Sequence, residues 1–193
     1  MHKINVLLAM ALFASAVAQA SDRYTVDQGH STIGFAVKHL VISTTHGQFK
    51  DYTGRISLDE KDITKSSVQV LLKVKSIDTG VEGRDKHLRG EDFFDAEKFP
   101  EITFVSTKIE TSEAGTTMAG LLTIKGVSKE VSFPFTLSGP VKDPWGNTRI
   151  GAEGSLVINR QDYNIAHDPS GKMVGNSVKI NLNLEAIKDK KGE

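Results

Sequence analysis

Between residues 84 and 89 the chain sets Arg84, Asp85, His87 and Arg89, and the phenylalanines Phe93, Phe94 and Phe99 follow closely. An acid, an imidazole and two guanidinium groups beside aromatic rings could serve proton transfer, or meet an anionic head while the rings touch an apolar chain. They could also be architecture, with Asp85 hydrogen-bonding backbone and the rings plugging the end of a core. Buried aromatics mostly pack, which favours the plug reading for Phe93, Phe94 and Phe99. Charged groups beside a cavity need partners, so Arg84 and His87 stand as head-group candidates and the phenylalanines as lid or plug candidates.

Two other constellations contain catalytic residue types. Asp27, His30 and Ser31 match a hydrolase triad in kind, but neighbours along an extended segment point to opposite faces and cannot converge as a relay. The surrounding Gly29-His30-Ser31-Thr32-Ile33 also lacks the second glycine of a nucleophile elbow. Hydrogen bonding at the start of a strand accounts for them better, and no catalytic residue is expected. Beyond His2 the histidines are His30, His39, His46, His87 and His167, with no His-x-His or His-Glu-x-x-His spacing and no cysteine to assist. No metal site is expected, although separate strands could bring His39 and His46 together.

The elements that must position these groups have a period of two. Ile33, Phe35 and Val37 form one apolar row, and Val68, Val70, Leu72 and Val74 another along 66–77. Further rows are Ile102, Phe104 and Ser106; Met118, Gly120, Leu122 and Ile124; and Val131, Phe133, Phe135 and Leu137. Ile150, Ala152, Gly154, Leu156 and Ile158 make the next, and Val178, Ile180, Leu182 and Leu184 the last. Tyr52, Ile56 and Leu58 continue the pattern after Gly47, while Phe49 has the wrong parity and predicts a bulge nearby. Pro134 cannot donate to a ladder, so its strand is expected to have a free or bulged edge there. About eight strands separated by turn chemistry read as an antiparallel meander, all-β.

One helix interrupts it. Thr79 and Glu82 have capping-box spacing and Gly90 is placed for a left-handed stop, so the pattern predicts a helix over 80–89. The length of 66–77 as one strand and the scarcity of helix to cover an open sheet favour a barrel over a sandwich. Gly120, Ala152 and Gly154 lie on apolar rows and could leave room inside. Ile33, Phe35, Val70, Leu72, Phe104, Leu122, Phe133 and Phe135 are the candidate cavity wall. Asp143-Pro144-Trp145-Gly146 predicts a type I turn whose Trp145 anchors the loop against the barrel. Lys125-Gly126 reads as a hairpin turn with a basic rim, and 159–163 as a surface turn.

Composition narrows the class. A basic start, an apolar run over 4–17 and Ala18-Gln19-Ala20 predict a signal peptide over 1–20, cut near Ala20, with 21–193 as one domain. Twenty-four basic residues balance twenty-four acidic ones, which argues against nucleic acid. No other stretch is long and apolar enough to be a spanning helix, so the chain is not expected to be integral to a membrane. A secreted chain without cysteine suits a bacterial periplasm or exterior.

The ordered motifs resemble the YceI-like family of polyisoprenoid-binding, lipocalin-like bacterial proteins. They are Asp27-x-x-His30-Ser31-x-Ile33-x-Phe35-x-Val37-x-His39-Leu40, Gly47-x-Phe49 and Arg84-Asp85-x-His87-Leu88. Asp92-Phe93-Phe94-Asp95, Phe99-Pro100-x-Ile102-Thr103-Phe104, Leu122 to Val127 and the 143–146 turn follow in order. The resemblance implies an extended, roughly eight-stranded antiparallel lipocalin-like barrel with one short helix between strands, often dimeric. It implies a cavity for a long apolar chain such as a polyisoprenoid, isoprenoid quinone or fatty-acid-like amphiphile and does not imply an assigned enzymatic activity, so neither an enzyme nor a cofactor is expected.

The expected function is therefore carriage or sequestration of a long-chain lipid in the periplasm. Two alternatives remain open at this point. One is a stress or interaction protein with a filled interior that partners a membrane redox protein, and the other is a lipid hydrolase or metal-dependent enzyme.

Overall fold

The computed structural model describes residues 21–190. The signal-peptide reading of 1–20 lies outside the described residues.

The strands are β1 (Asp22–Val26), β2 (Thr32–His39), β3 (Ser43–Phe49), β4 (Tyr52–Leu58), β5 (Ser67–Lys73) and β6 (Ile77–Asp78). After the helix α1 (Glu82–Arg89) come β7 (Glu101–Ser112), β8 (Gly115–Ile124), β9 (Val127–Lys142), β10 (Thr148–Asn159) and β11 (Val174–Lys188). Every strand pairing is antiparallel, and the ring β1-β4-β5-β7-β8-β9-β10-β11 closes through Tyr24 to Val26 of β1 against Ala186 to Lys188 of β11. Closure leaves no open edge around this eight-stranded ring, which is how an all-β chain avoids an unpaired ladder without helices to cover it.

The ring is extended at one end. β11 is long enough to pair with β1 near its C-terminus and with β2 over Val174 to Asn183. A single turn of 3-10 helix, Gln28 to His30 capped by the Asp27 carboxylate, steps the chain from β1 to β2. The Phe49 parity break has a related origin. The chain steps at Lys50-Asp51 between β3 and β4 instead of carrying a bulge, so Phe49 and Tyr52 are both buried. The long strand expected over 66–77 likewise breaks after Lys73, where Val74 to Ser76 form a 3-10 turn. Its apolar parity survives the break, because Val74 is buried.

Pro134 sits where β9 loses its β10 partner. The β9–β10 ladder runs as far as Phe135 opposite Gly154, while Pro134 still lies opposite Thr117 of β8. The edge without a donor is thus the edge without a ladder.

Lys125 and Gly126 both have positive φ (48° and 74°) in the two-residue turn between β8 and β9, the geometry that matches strand twist in a hairpin. The Asp143 turn forms as the sequence predicts, with its carboxylate accepting the amides of Trp145 and Asn147. Trp145 does not anchor it: the indole is 80% exposed, and Asp143 supplies the restraint instead.

The helix ends at Arg89 before Gly90 as expected, but it starts two residues later and its caps differ. Val81 occupies the N-cap without a side-chain bond, and Gly90 is extended at φ −74°. Thr79 turns its amide (2.9 Å) and hydroxyl (2.5 Å) to the Asp85 carboxylate, so the capping-box residue is tied to the first turn through Asp85 instead of Glu82. The left-handed residue comes later, at Asp95 (φ 50°), whose amide returns to the Gly90 carbonyl.

Candidate functional site

All eight predicted wall residues, Ile33, Phe35, Val70, Leu72, Phe104, Leu122, Phe133 and Phe135, line one cavity of about 210 Å³ inside the barrel. The alternation of each strand accounts for this convergence, since every second side chain of a closed sheet points inward. Phe35, Val70, Phe104 and Phe135 are only half-buried although they face the interior. They border open space where a filled barrel would have neighbours. Phe104 and Phe133 tilt against each other at 5.7 Å, and Phe35 meets Phe49 at 6.1 Å.

The small residues divide. Ala152 and Gly154 line the cavity. Gly120 makes no room for a ligand, because a Cβ there would lie 2.6 Å from the Phe104 ring and 2.5 Å from the Val105 carbonyl oxygen. Its missing side chain is the space the Phe104 ring occupies.

One end of the cavity is closed by α1, the segment after it and the loop between β10 and β11. Leu88, Phe93 and Phe94 line the cavity there together with Ile165. Phe94 stands edge-on to Phe49 at 6.0 Å. Phe99 lies outside the lining and fills the underside of the β8–β9 turn, 2.7 Å from where a Gly126 Cβ would be. Of the three lid or plug candidates, two therefore face the cavity and one wedges the lid against the hairpin beside it. Lys125 fastens the same corner by donating from Nζ to the Glu91 carbonyl at 2.8 Å.

Neither head-group candidate reaches the cavity lining. Arg84 is exposed and donates from Nε to Thr79 Oγ1 (2.7 Å) and from Nη2 to the Thr79 carbonyl (2.9 Å). His87 is exposed beside Asp92 (3.3 Å) and meets the rings of Phe93 and His167 edge-on.

The cation that does line the cavity is Arg160, which the sequence reading left in a surface turn. Asn159 caps a 3-10 turn over Arg160–Tyr163, and Arg160 is 3% exposed. Its guanidinium donates to the carbonyls of Ile165 (2.7 Å), Asp168 (2.8 Å), Val174 (2.9 Å) and Gly175 (3.1 Å), and burial pulls its pKa down. Four carbonyls thus replace water around the charge and fold the loop after β10 onto the barrel end. The signal was present in the sequence: Arg160 continues the inward row of Ala152, Gly154, Leu156 and Ile158. Asp168 holds the far side of that loop. Ser170 Oγ and the amides of Met173 and Val174 donate to its carboxylate, which keeps its pKa at about 2.

At the opposite end the wall residues Leu58, Ile63, Phe135 and Leu137 also border a second, shallower space of about 500 Å³, rimmed by Asp59, Glu60, Thr116 and Thr136. Polar side chains at one end and an aromatic lid at the other give the cavity a direction.

The triad look-alike lies on a 3-10 turn instead of an extended strand, so Asp27 and His30 do meet, at 3.0 Å, while Ser31 is held elsewhere. Asp27 accepts from the Gly29 amide, from His30 Nδ1 and from Arg149 Nη1 (2.8 Å), while Ser31 exchanges bonds with the Glu185 backbone. Arg149 also donates to Asp143 (2.8 Å) and Glu185 (2.5 Å), a clamp joining β10, β11 and the step between β1 and β2. Burial alone would raise the Asp143 pKa, but the bonds from Arg149 and Asn147 outweigh it and leave the pKa at about 2. His39 and His46 stay apart, lying opposite Ser43 and Ala36 of the same hairpin.

The YceI-like domain profile matches residues 24–186, all but two residues at each end of the barrel just described. The chain belongs to the YceI-like family. It is 36% identical over 182 residues to the UPF0312 protein of Photorhabdus laumondii, covering 94% of each chain. A YceI protein of Campylobacter jejuni superposes with a TM-score of 0.72 at 34% identity, over 79% of this chain and 90% of that one. BcnA of Burkholderia cenocepacia gives 0.75 at 27%, over 83% and 98%. A polyisoprenoid-binding domain from Saccharophagus degradans shares the fold, with a TM-score of 0.68 at 16% identity over 86% and 98%. Among the described residues no helix is long and apolar enough to cross a membrane. The YceI-like barrel here is thus a closed wall around an apolar cavity with a capped end.

Proposed function

We propose that this YceI-like protein binds a long-chain isoprenoid, isoprenoid quinone or similar amphiphilic lipid in its barrel and carries or sequesters it in the periplasm, without catalysing a reaction. The observation that carries this reading is the cavity itself, whose lining is apolar almost throughout. The fold shared with the polyisoprenoid-binding domain of Saccharophagus degradans is consistent with it.

The energetics suit an unbranched or isoprenoid chain. Each CH2 taken from water contributes about 0.8 kcal/mol, partly offset by frozen rotors and lost translation. Ten buried carbons supply about 8 kcal/mol before those offsets, so micromolar net binding without a strong polar contact calls for a chain longer than about ten carbons. The tail would run toward the Phe93 and Phe94 lid, with the head at the rim of Asp59, Glu60, Thr116 and Thr136. Hydroxyls and carboxylates there favour a head that donates a hydrogen bond, such as a polyprenol or quinol, over a phosphate. Arg84 and His87, on the outer face of the lid, then have no part in holding the head.

The hydrolase alternative loses its support, because Asp27, His30 and Ser31 are engaged in the Arg149 clamp and with the Glu185 backbone. The filled-barrel alternative conflicts with half-buried side chains facing an interior space.

Solvent extraction of protein purified from its native periplasm, read by mass spectrometry, tests the reading. Delipidated protein is then titrated with a polyprenol, a quinone and a polyprenyl phosphate. Co-purifying lipid and tighter binding of polyprenol than of its phosphate are expected. Protein that is reproducibly empty and binds none of the three overturns it.

A further inference from the structure

The structure brings together three side chains that the sequence keeps far apart. His87 on α1, Asp92 just after it and His167 in the loop between β10 and β11 place one ligand atom each within 4.8 Å of one another. His87 Nε2 and Asp92 Oδ2 are already 3.3 Å apart. Zinc bound tetrahedrally at 2.0–2.1 Å separates its ligands by about 3.4 Å, so one edge of the polyhedron is formed and the other two need only side-chain rotation. His87 and Asp92 are more than half exposed, which leaves them free to make it.

The chemistry of the set is specific. Two imidazoles and one carboxylate suit zinc and neighbouring divalent d-block ions rather than calcium or magnesium, which prefer all-oxygen shells. The other grouping of this kind, Asp27, His30 and Glu185, is a useful contrast. Arg149 Nη1 lies 2.8 Å from Asp27 and 2.5 Å from Glu185, so a guanidinium already occupies the place of a cation. No Lys or Arg ion pair is formed by Asp92 among the described residues, where its one salt-bridge partner is His87.

We propose that His87, Asp92 and His167 form a binding site for a divalent d-block cation such as zinc, with water completing the shell, and that the ion staples the two segments closing the lid end. His87 and Asp92 belong to the helix and its following turn, and His167 to the loop that Arg160 folds onto the barrel. Phe93, which lines the cavity, packs against both imidazoles, 5.0 Å from the His87 ring and 4.7 Å from the His167 ring, and those two rings are 5.2 Å apart. An ion held there fixes the backing of a lid residue. Binding needs neutral imidazoles and displaces any proton they carry, so affinity falls as the medium is acidified. The site does not depend on what fills the barrel.

The test uses untagged, delipidated chain 21–193. Zinc is titrated calorimetrically, and cobalt is followed by its visible absorption as a geometry-sensitive substitute. One ion per chain is expected. His87→Ala and His167→Ala should each weaken binding at least about tenfold, with far-UV circular dichroism unchanged, and Asp92→Asn should also weaken it. His46→Ala, outside the grouping, should not. Zinc should slow amide exchange together in residues 84–94 and 164–173. No binding, or binding that survives both His87→Ala and His167→Ala, overturns the proposal. Because no lipid is present, that failure leaves the lipid-binding reading to its own experiment.

Discussion

Arg160 donates from Nη1 to the carbonyl of Ile165 at 2.7 Å, and both residues line the capped end of the barrel. The bond is one of four from a single guanidinium to four carbonyls, so this charge is the keystone of the loop between β10 and β11. Replacing it with methionine keeps the apolar stem and strands the carbonyls of Ile165, Asp168, Val174 and Gly175. Each buried carbonyl left without its donor costs about 1–3 kcal/mol, so the loss should amount to several kcal/mol. Urea denaturation of Arg160→Met should show a loss of that size, and Arg160→Lys should recover only part, because an ammonium cannot span four acceptors. Unchanged stability in Arg160→Met would remove the keystone role.

A filled cavity should lose its lipid but keep its fold. Leu156 lines the cavity and is half-buried, so tryptophan in its place occupies open space instead of displacing packed neighbours. Leu156→Trp is expected to weaken binding of a polyprenol at least about tenfold, equivalent to about 1.4 kcal/mol, with the thermal midpoint held or raised. Equal affinity in the wild type and Leu156→Trp would place the lipid elsewhere.

Two glycines make opposite predictions. A Cβ on Gly120 meets the Val105 carbonyl at 2.5 Å and the Phe104 ring at 2.6 Å, and backbone cannot step aside cheaply. Gly120→Ala should cost roughly 1–3 kcal/mol. Gly83, inside α1, has nothing within 4 Å of its would-be Cβ. Gly83→Ala should stabilise by about 0.5–1 kcal/mol through helix propensity. Parallel denaturation curves check both signs.

Acid should loosen the two loops that carboxylates hold. Asp143 and Asp168 both have pKa values of about 2 in the folded chain, against 3.8 for a free aspartate. A folded-state pKa below the unfolded one means that the unfolded chain takes up protons first, so folding loses stability as pH falls. The contribution is present above pH 4 and disappears between about 4 and 2. Denaturation midpoints of Asp143→Asn and Asp168→Asn should show a shallower fall over this window than wild type. A wild-type midpoint that is flat from pH 4 to 2 would contradict the assignment.

The barrel was legible because closure and parity are local properties of each strand. Ile33, Phe35, Val70, Leu72, Phe104, Leu122, Phe133 and Phe135 share a face in sequence, and a closed sheet has one inside, so they converge without any knowledge of pairing. Arg160 obeyed the same parity but was overlooked, because a charged residue after a strand ordinarily faces solvent and only the returning loop supplies its acceptors. Thr79 departs from its expected role for a similar reason: Glu82 satisfies capping-box spacing, yet the hydroxyl meets the carboxylate of Asp85, which also takes a backbone amide as its architectural reading expects. His167 could not be joined to His87 from spacing at all, since eighty residues of barrel decide that they meet. Gly90 and Trp145 show the remaining limit, that a residue suited to a role is not always used in it.

The bond from Thr79 to Asp85 sets how firmly the lid is held, which yields a last prediction. Asp85 is 6% exposed and accepts both the amide and the hydroxyl of Thr79. Thr79 Oγ1 in turn accepts from Arg84 Nε, so one carboxylate orders the loop into α1 and the helix's own side chain. Removing it in Asp85→Ala leaves a part-buried amide unpaired, at a cost of about 1–3 kcal/mol. The cost should be felt locally, because α1 is tied to the barrel by few ladder bonds and the strands by many. Hydrogen exchange should therefore quicken across residues 79–94 in Asp85→Ala while β8 and β10 stay protected. Bound polyprenol should also leave faster, since Phe93 and Phe94 ride on that segment. Acceleration spread evenly over the whole barrel would mean instead that Asp85 supports global stability, and that the lid does not open on its own.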